Sequence, residues 1–398
     1  MSELIVGDVH LGASLSLGKP GLGNVLNSRV VDQVKLLDWV ADTAIEKGTD
    51  NIILTGDICE DVRPEYILIE LLVGFFKKCD SYNIDVHIVG GNHDLQRTGN
   101  KYTSYLDLIS SFELPNVHIY KNMATIFIGD TGYTFMPFRD MRSLECETSQ
   151  EGLDKLSAML KYELVSIPLN FNKVIVGHLA IEDSIYLGGE IDETANELMC
   201  PVSMFEGYDF VFMGHVHFPQ EMNAEDPYVA HVGSLDTSDW GEINHSKVVI
   251  KFDADKHSKF EEIIVPTRPM RSILINVPAN VDATTYVLKQ IKAVHKTKSL
   301  KRAIVKVEIK LLDENSDGVD KSDIKNETYN LGAFHTILYE SKTIAPIIPT
   351  TQTVESSDIS TKEAVKVWVD GENFESDKEK LDLTNAFNDL ILELEIEK

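Results

Sequence analysis

The sequence contains few cysteines and no long apolar run, and each shortage argues against a class of protein. Its four cysteines lie far apart and form no Cys-x-x-Cys pair, so we expect free thiols in a reducing compartment. The chain lacks a run of about 18 consecutive apolar residues, which argues against a membrane-spanning helix. The opening residues MSELIVGDVHLG lack the basic start and the cleavage site of a secretory signal. We therefore expect a cytoplasmic location without membrane contact.

Positive charge is scarce as well. The chain has 37 Lys and Arg against 64 Asp and Glu, which gives a formal net charge of −27. Taken alone, this balance argues against nucleic acid as a ligand, because DNA-binding proteins neutralise phosphates with Lys and Arg. The charge is uneven, however, since residues 281–310 contain eight basic residues and only two acidic ones. This basic segment is either a solvated helix face or a contact surface for DNA or a partner.

The first 250 residues repeat one pattern, in which a short apolar run is followed by glycine and then by polar residues that can bind metals. Such runs are typical of buried strands, and segments with helical spacing lie between them at Val30–Lys47 and Pro64–Cys79. The alternation predicts an α/β fold with parallel strands. The predicted strands are Leu4–Val6, Asn51–Thr55, Asp85–Val89, Thr125–Ile128, Tyr133–Met136, Lys173–Val176, Asp209–Met213 and Lys247–Phe252.

The length of 398 residues predicts more than one domain. Thr267–Pro269 is interpreted as a linker, and a strand, a helix and a second strand follow it, which predicts a smaller α+β domain. A later segment rich in Pro, Thr and Ser predicts a second linker, and helical spacing follows it. The apolar stripe Leu381–Leu394 either packs within the chain or docks on a partner. The predicted segments are an α/β domain at residues 1–266, a smaller domain at 270–345, a linker at 346–358 and terminal helices at 359–398.

Five motifs at the predicted strand ends carry residues that suit chemistry on a phosphate ester. In sequence order they read GDVH, GDIC, GGNHD, GHLA and GHVH. Each motif alone is explained as a polar loop, but ligands of open α/β sheets bind at the carboxyl ends of strands, so the set is expected to converge. The side chains concerned are Asp8, His10, Asp57, Asn92, His93, His178, His215 and His217.

A purely structural cluster of these groups would be costly, because carboxylates and imidazoles would be buried without compensation. A pair of divalent cations removes that cost. The mixture of carboxylate, amide and imidazole ligands favours Mn²⁺, Fe²⁺ or Zn²⁺ over Ca²⁺. Asp57 is the candidate bridge, because its carboxylate has two oxygens to divide between two ions. Two such ions activate water and polarise a phosphate together.

At GDVHLG, GDICED, GNHD, GHLA and GHVH the chain resembles the calcineurin-like metallophosphoesterase superfamily, over roughly residues 5–217. The resemblance implies a β-sandwich flanked by helices and a two-metal site. It also implies that His93 is the catalytic histidine, which assists departure of the leaving oxygen without binding metal. One implied ligand set is Asp8, His10, Asp57 and His217. The other implied set is Asp57, Asn92, His178 and His215.

Within that superfamily the chain looks like the SbcD-type nuclease subunits, including their bacteriophage counterparts. The GDVHLG opening and the stretch YVAHVGSLDTSDWGE carry this narrower likeness, although His231 and Val232 stand where the family usually has Pro before Gly-Ser. The resemblance implies a DNA exonuclease and endonuclease of repair, recombination or replication, working with Mn²⁺, or with Mg²⁺, Fe²⁺ or Zn²⁺. It implies a small domain that caps the site and touches DNA, and terminal helices that dock on a coiled-coil ATPase of SbcC type. A homodimer in the bacterial or phage-infected cytoplasm is also implied.

Two other functions remain open from the residues. The same metal site suits a small-molecule phosphodiesterase or a protein phosphatase. A catalytically silent scaffold is the third possibility, but such a protein has no need for Asp57, Asn92 and His93 together. Gly233 and Ser234 form either a turn or a phosphate contact.

Overall fold

The computed structural model describes residues 2–21, 26–98, 101–187, 197–253, 259–312 and 318–343. Residues 1–341 form one compact unit. The linker predicted at residues 346–358 and the docking helices predicted at 359–398 lie outside the described residues.

Helices and strands alternate along most of the described chain. The helices are α1 Ser28–Lys47, α2 Tyr66–Ser81, α3 Leu106–Ser110, α4 Ser149–Ser166, α5 Ala283–Thr297 and α6 Lys321–Asn330. The strands of the first half are β1 Glu3–Val6, β2 Asn51–Leu54, β3 Asp85–Val89, β4 Gln96–Thr98, β5 Lys101–Thr103, β6 Val117–Tyr120, β7 Ala124–Ile128, β8 Thr131–Met136, β9 Asn172–His178 and β10 Ala180–Ile181. The strands of the second half are β11 Met199–Cys200, β12 Phe210–Gly214, β13 Gln220–Asn223, β14 Tyr228–His231, β15 Val248–Asp253, β16 Lys259–Ile264, β17 Met270–Asn276, β18 Ile304–Leu312 and β19 His335–Thr343.

Two six-stranded sheets form a sandwich. The first has the order β16-β15-β1-β2-β3-β6, and the second has the order β13-β14-β12-β9-β8-β7. Strands β1, β2, β3 and β6 are parallel, as are β8, β9, β12 and β14. The facing sides of the two sheets share one core, which includes Ile5, Ile53, Val89, Phe135, Val176 and Phe212. The sandwich confirms the predicted fold class.

Helices cover the outer faces of the sandwich. Asn27 caps the start of helix α1, where its side chain accepts a hydrogen bond from the backbone N of Arg29. Gly48 follows the end of the helix in the left-handed conformation that favours glycine. Its apolar residues Leu37 and Val40 pack with α2 against the first sheet. On the other side, α4 contributes Leu156 to a core with the second sheet. The sandwich is therefore enclosed by helices on both faces.

The segment after residue 269 builds a smaller three-stranded sheet, in the order β17-β18-β19. Strands β17 and β18 are parallel, with Met270 opposite Ile304. Helix α5 packs Val287 and Ile291 against this sheet. Arg268 joins this part to α1, because its Nε and Nη2 atoms each donate to Asp32 at 2.5 Å.

The state of the cysteines and the character of the helices can be compared with what the sequence predicted. All four cysteines are free thiols, and Cys59, Cys79 and Cys200 are buried. Burial raises the pKa of Cys200 to about 12 and keeps it a thiol. Among the helices of the described residues, none combines the length and the apolar character that crossing a membrane requires.

A buried ion pair beside the sandwich predicts a large stability effect. Arg29 is buried, and its Nη2 donates to Asp236 Oδ2 at 2.5 Å and to the Thr237 carbonyl at 2.8 Å. Arg29→Ala leaves the Asp236 carboxylate buried without its partner, so we expect the free energy of unfolding to fall by about 3–5 kcal/mol. Urea denaturation followed by circular dichroism measures this loss.

The exposed pair of Lys47 and Glu261, with 2.8 Å between Nζ and Oε1, is the matched control. Lys47→Ala is expected to cost less than about 1 kcal/mol, because solvent screens exposed pairs. Equal losses in the Arg29 and Lys47 variants would contradict the structural role given to Arg29.

Candidate metal centre

The ends of five parallel strands meet at one edge of the sandwich, and the predicted side chains extend from them. The turns after β1, β2 and β3 lie in the first sheet, and the ends of β9 and β12 lie in the second. Together these loops bring all eight predicted residues into one cluster. The β1 and β2 turns carry Asp8, His10 and Asp57, the β3 turn carries Asn92 and His93, and the second sheet supplies His178, His215 and His217.

Three of these residues have an unusual backbone conformation. The φ angles are 46° at His10, 47° at Asp57 and 83° at His215, in the left-handed region that residues with a side chain rarely adopt. Hydrogen bonds hold them there. The backbone N of His10 donates to the Asp57 carbonyl at 2.8 Å, and the backbone N of His215 donates to Asp8 Oδ2 at 2.8 Å. The loops are thus locked to one another through the site itself.

Glycines next to the site residues allow the loops to approach this closely. A Cβ atom on Gly91 would lie 2.2 Å from Asp57 Oδ1, and one on Gly214 would lie 2.4 Å from Asp8 Oδ1. Both separations are far shorter than any non-bonded contact between carbon and oxygen. Glycine is therefore required at these two positions by the placement of the carboxylates.

One group of possible ligand atoms surrounds His10 and His217. Their Nε2 atoms lie 2.9 Å apart. The Nε2 atom of His10 is 3.6 Å from Asp57 Oδ2, and that of His217 is 3.9 Å from Asp8 Oδ2. These are the four residues of the first ligand set that the family resemblance implied.

A second group surrounds Asn92. Its Oδ1 atom lies 2.9 Å from His178 Nε2 and 3.0 Å from His215 Nδ1. The same His178 nitrogen is 3.3 Å from Asp57 Oδ2. Asp57 Oδ2 is therefore close to both groups, as expected of the residue that joins them.

Each of the four histidines in these groups has a hydrogen-bond acceptor behind it. In each ring one nitrogen, the inner one, faces the other ligand atoms, and the second, the outer one, faces away from them. The outer nitrogens of His10 and His217 are their Nδ1 atoms, which lie 2.8 Å from Glu60 Oε2 and 3.2 Å from Glu242 Oε1. His178 Nδ1 lies 3.0 Å from the Thr55 carbonyl oxygen. The remaining histidine, His215, places Nε2 against the carboxylate of Glu197. None of these glutamates was predicted as a site residue. Glu60 and Glu242 stand within the stretches GDICED and YVAHVGSLDTSDWGE, but a Glu beside a motif does not reveal which histidine it will face.

The acceptors assign the proton of each neutral ring to its outer nitrogen, which leaves the inner nitrogen bare. When both rings are neutral, the bare nitrogens of His10 and His217 face each other at 2.9 Å, and a proton or a metal cation is needed to relieve the repulsion between their lone pairs. Such an arrangement is stable when a cation lies among the lone pairs. With two carboxylates and an amide oxygen nearby, the donor set fits divalent transition-metal ions.

Comparison with known proteins agrees with this geometry. The sequence profile of the calcineurin-like phosphoesterase family matches residues 1–219. The chain belongs to the calcineurin-like phosphoesterase family. Enzymes of this family use a dinuclear metal site, and the chain is a metal-dependent hydrolase.

Named relatives of this phosphoesterase include a nuclease subunit and a DNA repair protein. A subunit of the nuclease SbcCD from Staphylococcus epidermidis is 24% identical over 271 residues, 63% of this chain and 68% of the relative. The DNA double-strand break repair protein Mre11 of Archaeoglobus fulgidus is 26% identical over 254 residues, 61% of this chain and 52% of that protein. Among solved structures, a dimetal phosphatase of Danio rerio is 12% identical, with a TM-score of 0.41, and the match covers 67% of this chain and 98% of that one.

The buried charges of the phosphoesterase site shift the pKa values of its groups. Burial by itself lowers the pKa of His10, but the hydrogen bond with Glu60 and the charges of Asp57 and Asp8 outweigh it and raise this pKa to about 9. In the same way, Asp57 and Asp8 overcome burial and raise the pKa of His178 to about 9. Burial raises the pKa of Asp57, but the charge of His178 and its hydrogen bond hold it below its usual range. Without metal, the extra protons on His10 and His178 therefore balance the charge of the buried carboxylates.

His93 stands beside the two ligand groups. Its backbone N donates to Asp57 Oδ1 at 2.8 Å, and its Nδ1 lies 2.5 Å from the Glu60 carbonyl oxygen. That carbonyl accepts a hydrogen bond from Nδ1 of the ring. His93 also lines a cavity of about 200 Å³, together with Asp57, Asn92 and Ser238. The potential ligand atoms of His93, His10 and Glu60 also form a third group, all within 4.8 Å of one another.

The Gly233-Ser234 pair has a structural place in the phosphoesterase. Gly233 has a φ of +84°, and its carbonyl oxygen occupies the position that a Cβ on Gly7 would take, at 1.6 Å. Ser234 is buried, and its hydroxyl donates to the Asp236 carbonyl at 2.9 Å. Ser234 also forms an isolated β-bridge with Asp8, so this pair packs directly against the loop that carries Asp8.

The close approach at Gly91 leads to a prediction for metal content. Gly91→Ala would force Asp57 away from its position, so we expect the purified variant to bind fewer than two Mn²⁺ per chain. Mass spectrometry of the metal content after loading and desalting measures this. The control is Gly74→Ala in α2, where a Cβ would meet no atom within 4 Å. It should keep full metal content and gain about 0.5–1 kcal/mol of stability; equal metal content in both variants would rule out the steric argument.

The raised histidine pKa values predict a pH dependence for metal binding. At pH 7 both His10 and His178, with pKa values of about 9, carry protons that an incoming cation must displace. The apparent affinity for the two metal ions should therefore fall as the pH decreases below 9. Because two protons are released, the fall is about 100-fold per pH unit. Calorimetric titration with Mn²⁺ in buffers of different ionisation enthalpy counts these protons. Binding at pH 7 without proton release would contradict the assignment.

Proposed function

We propose that the chain is a two-metal-dependent DNA nuclease, acting as exonuclease and endonuclease, in a complex of SbcC–SbcD type that serves DNA repair, recombination or replication. The observation that carries the proposal is the shared position of Asp57 Oδ2, 3.6 Å from His10 Nε2 and 3.3 Å from His178 Nε2. The proposed metal ligands are Asp8, His10, Asp57, Asn92, His178, His215 and His217, and the proposed catalytic residue is His93.

The residues of the site have different roles in phosphodiester hydrolysis. A pair of divalent cations held by these ligands would activate a water molecule and stabilise charge on the phosphate oxygens. Asp57 and Asn92 fix the spacing of the two ligand groups. His93 lines the cavity beside them and gives a proton to the leaving oxygen of the broken ester. The Glu60 carbonyl accepts a hydrogen bond from Nδ1 of His93, so Nε2 is the nitrogen that gives the proton. The ring is doubly protonated before this transfer and is left neutral, with its remaining proton on Nδ1.

Two observations support DNA as the substrate over a small phosphate ester. The first is that relatives covering 61–63% of the chain have names of nuclease or DNA break repair proteins. The second is the basic face of the smaller domain, where Lys289, Lys292 and Lys296 of α5 are exposed while Val287 and Ile291 are buried. In a chain of net charge −27, this face is a suitable place for a phosphate backbone.

The remaining parts of the proposal concern metal, domains and partners. Mn²⁺ is the proposed cation, because it suits a mixture of carboxylate, amide and imidazole ligands. Residues 1–266 are the proposed nuclease domain, and residues 270–345 the domain that caps it and contacts DNA. The terminal helices at 359–398, after a linker at 346–358, are proposed to dock on a coiled-coil ATPase of SbcC type. We further propose a homodimer within that complex, in a bacterial or phage-infected cytoplasm.

Cleavage assays test this function directly. Purified protein is incubated with linear duplex and single-stranded DNA while Mn²⁺ is titrated, with and without the co-purified ATPase, and products are resolved by length. Mn²⁺-dependent cleavage supports the proposal. Inert DNA together with rapid turnover of a phosphomonoester or a cyclic nucleotide would instead support a phosphatase or small-molecule phosphodiesterase.

His93→Asn separates catalysis from metal binding. Because His93 is assigned to proton transfer, the variant should keep two Mn²⁺ per chain while its cleavage rate falls by about 10²–10⁴-fold. His118→Asn, at a half-exposed histidine of β6 outside the cluster, is the matched control and should cleave at the normal rate. Loss of both metal ions in the His93 variant would show that it is a ligand, and undiminished cleavage would exclude a catalytic role.

A further inference from the structure

One of the glutamates behind the site histidines is enclosed by the protein. The side chain of Glu242 is 1% exposed, compared with 40% for Glu60 and 15% for Glu197. A buried carboxylate is costly unless its oxygens are hydrogen-bonded. The position of Glu242 is therefore the most closely fixed of the three.

Hydrogen bonds account for both oxygens of Glu242. Oε1 lies 3.2 Å from His217 Nδ1 and accepts from the Ser238 hydroxyl at 3.3 Å. Oε2 accepts from the backbone N of Ser238 at 3.0 Å and lies 3.0 Å from the ammonium of Lys247. No proton is left on Glu242 to share with His217, so the ring must donate from Nδ1.

Lys247 is buried as well, and all three of its donors are used. Besides its bond to Glu242, its Nζ donates to Ser234 Oγ at 2.7 Å and to the His217 carbonyl at 2.8 Å. This one cation therefore holds the main chain of His217 directly, and holds the ring of His217 through Glu242. It also ties both to the side chain of Ser234.

We propose that Glu242 is a positioning residue, which takes the Nδ1 proton of His217 and so keeps the Nε2 lone pair of that ring bare and directed at His10. The inference rests on the proposed two-metal site. A carboxylate behind a ligating histidine fixes the tautomer and the orientation of the ring and raises its basicity. Without Glu242, a neutral His217 is free to carry its proton on Nε2, where it blocks metal binding.

Two variants separate positioning from a merely structural role. Glu242→Gln removes the carboxylate and leaves the Lys247 charge buried without a partner, which destabilises the fold. The double variant Glu242→Gln with Lys247→Met removes both charges and should recover part of the lost stability. If Glu242 only supports the fold, metal affinity recovers together with stability; if it positions His217, the affinity stays low.

The experiment uses the full chain stripped of metal, with Mn²⁺ titrations followed by calorimetry and ¹⁵N NMR of labelled histidines without metal. In Glu242→Gln we expect one of two Mn²⁺ sites to weaken by about 10–100-fold, the other to stay unchanged, and the His217 ring to shift towards the Nε2–H tautomer. The double variant should keep both changes. Glu261→Gln, at an exposed glutamate paired with Lys47, is the control and should show neither.

Two results would overturn the inference alone, with the wild-type chain binding two Mn²⁺. The first is that Glu242→Gln leaves both Mn²⁺ affinities and the tautomer of His217 unchanged. The second is that the double variant recovers the full Mn²⁺ affinity. A wild-type chain that binds no Mn²⁺ would overturn the two-metal site and this inference with it.

Discussion

Two buried carboxylates and four imidazoles direct their lone pairs into one small volume at the strand ends, and the repulsion among these lone pairs is the constraint around which the site is built. The side chains of Asp8 and Asp57 are 0% and 3% exposed, so water cannot screen their charges. Each imidazole gives its proton outward to an acceptor and turns a lone pair inward. Without cations, the nearby carboxylates favour the protonated rings and raise the pKa values of His10 and His178 to about 9. With cations, the same charges become a binding site.

The sandwich makes this concentration of charge possible at a modest cost to the fold. Its core between the sheets consists of apolar side chains, and the polar groups are confined to the loops at one edge. The loops are held by one another, since Asp8 accepts from the backbone of His215 and Asp57 from that of His93. The rigid sheets set the spacing of the loops, while glycines such as Gly91 and Gly214 let them approach closely.

The motifs and strands could be predicted from the sequence because each has a local signal. Apolar runs that end in glycine marked β1, β2, β3, β9 and β12, and the residues after them are those that the structure brings together. Helix α4 has no comparable signal, because its buried residues are only Gly152, Leu156 and Leu160, a narrow stripe. The partners Glu60, Glu197 and Glu242 were not predicted, since their role exists only after the loops converge. The tautomers of the histidines depend on these partners, so they could not be predicted from the sequence either.

The number and spacing of the bound ions test the central claim most directly. Electron paramagnetic resonance of the Mn²⁺-loaded chain detects whether two ions are magnetically coupled, as they are when about 3.5–4 Å apart. We expect a coupled pair in the wild-type chain and its loss in Asp57→Asn, which removes the charge of the shared carboxylate. A single ion, or two uncoupled ions in the wild-type chain, would contradict the two-metal site.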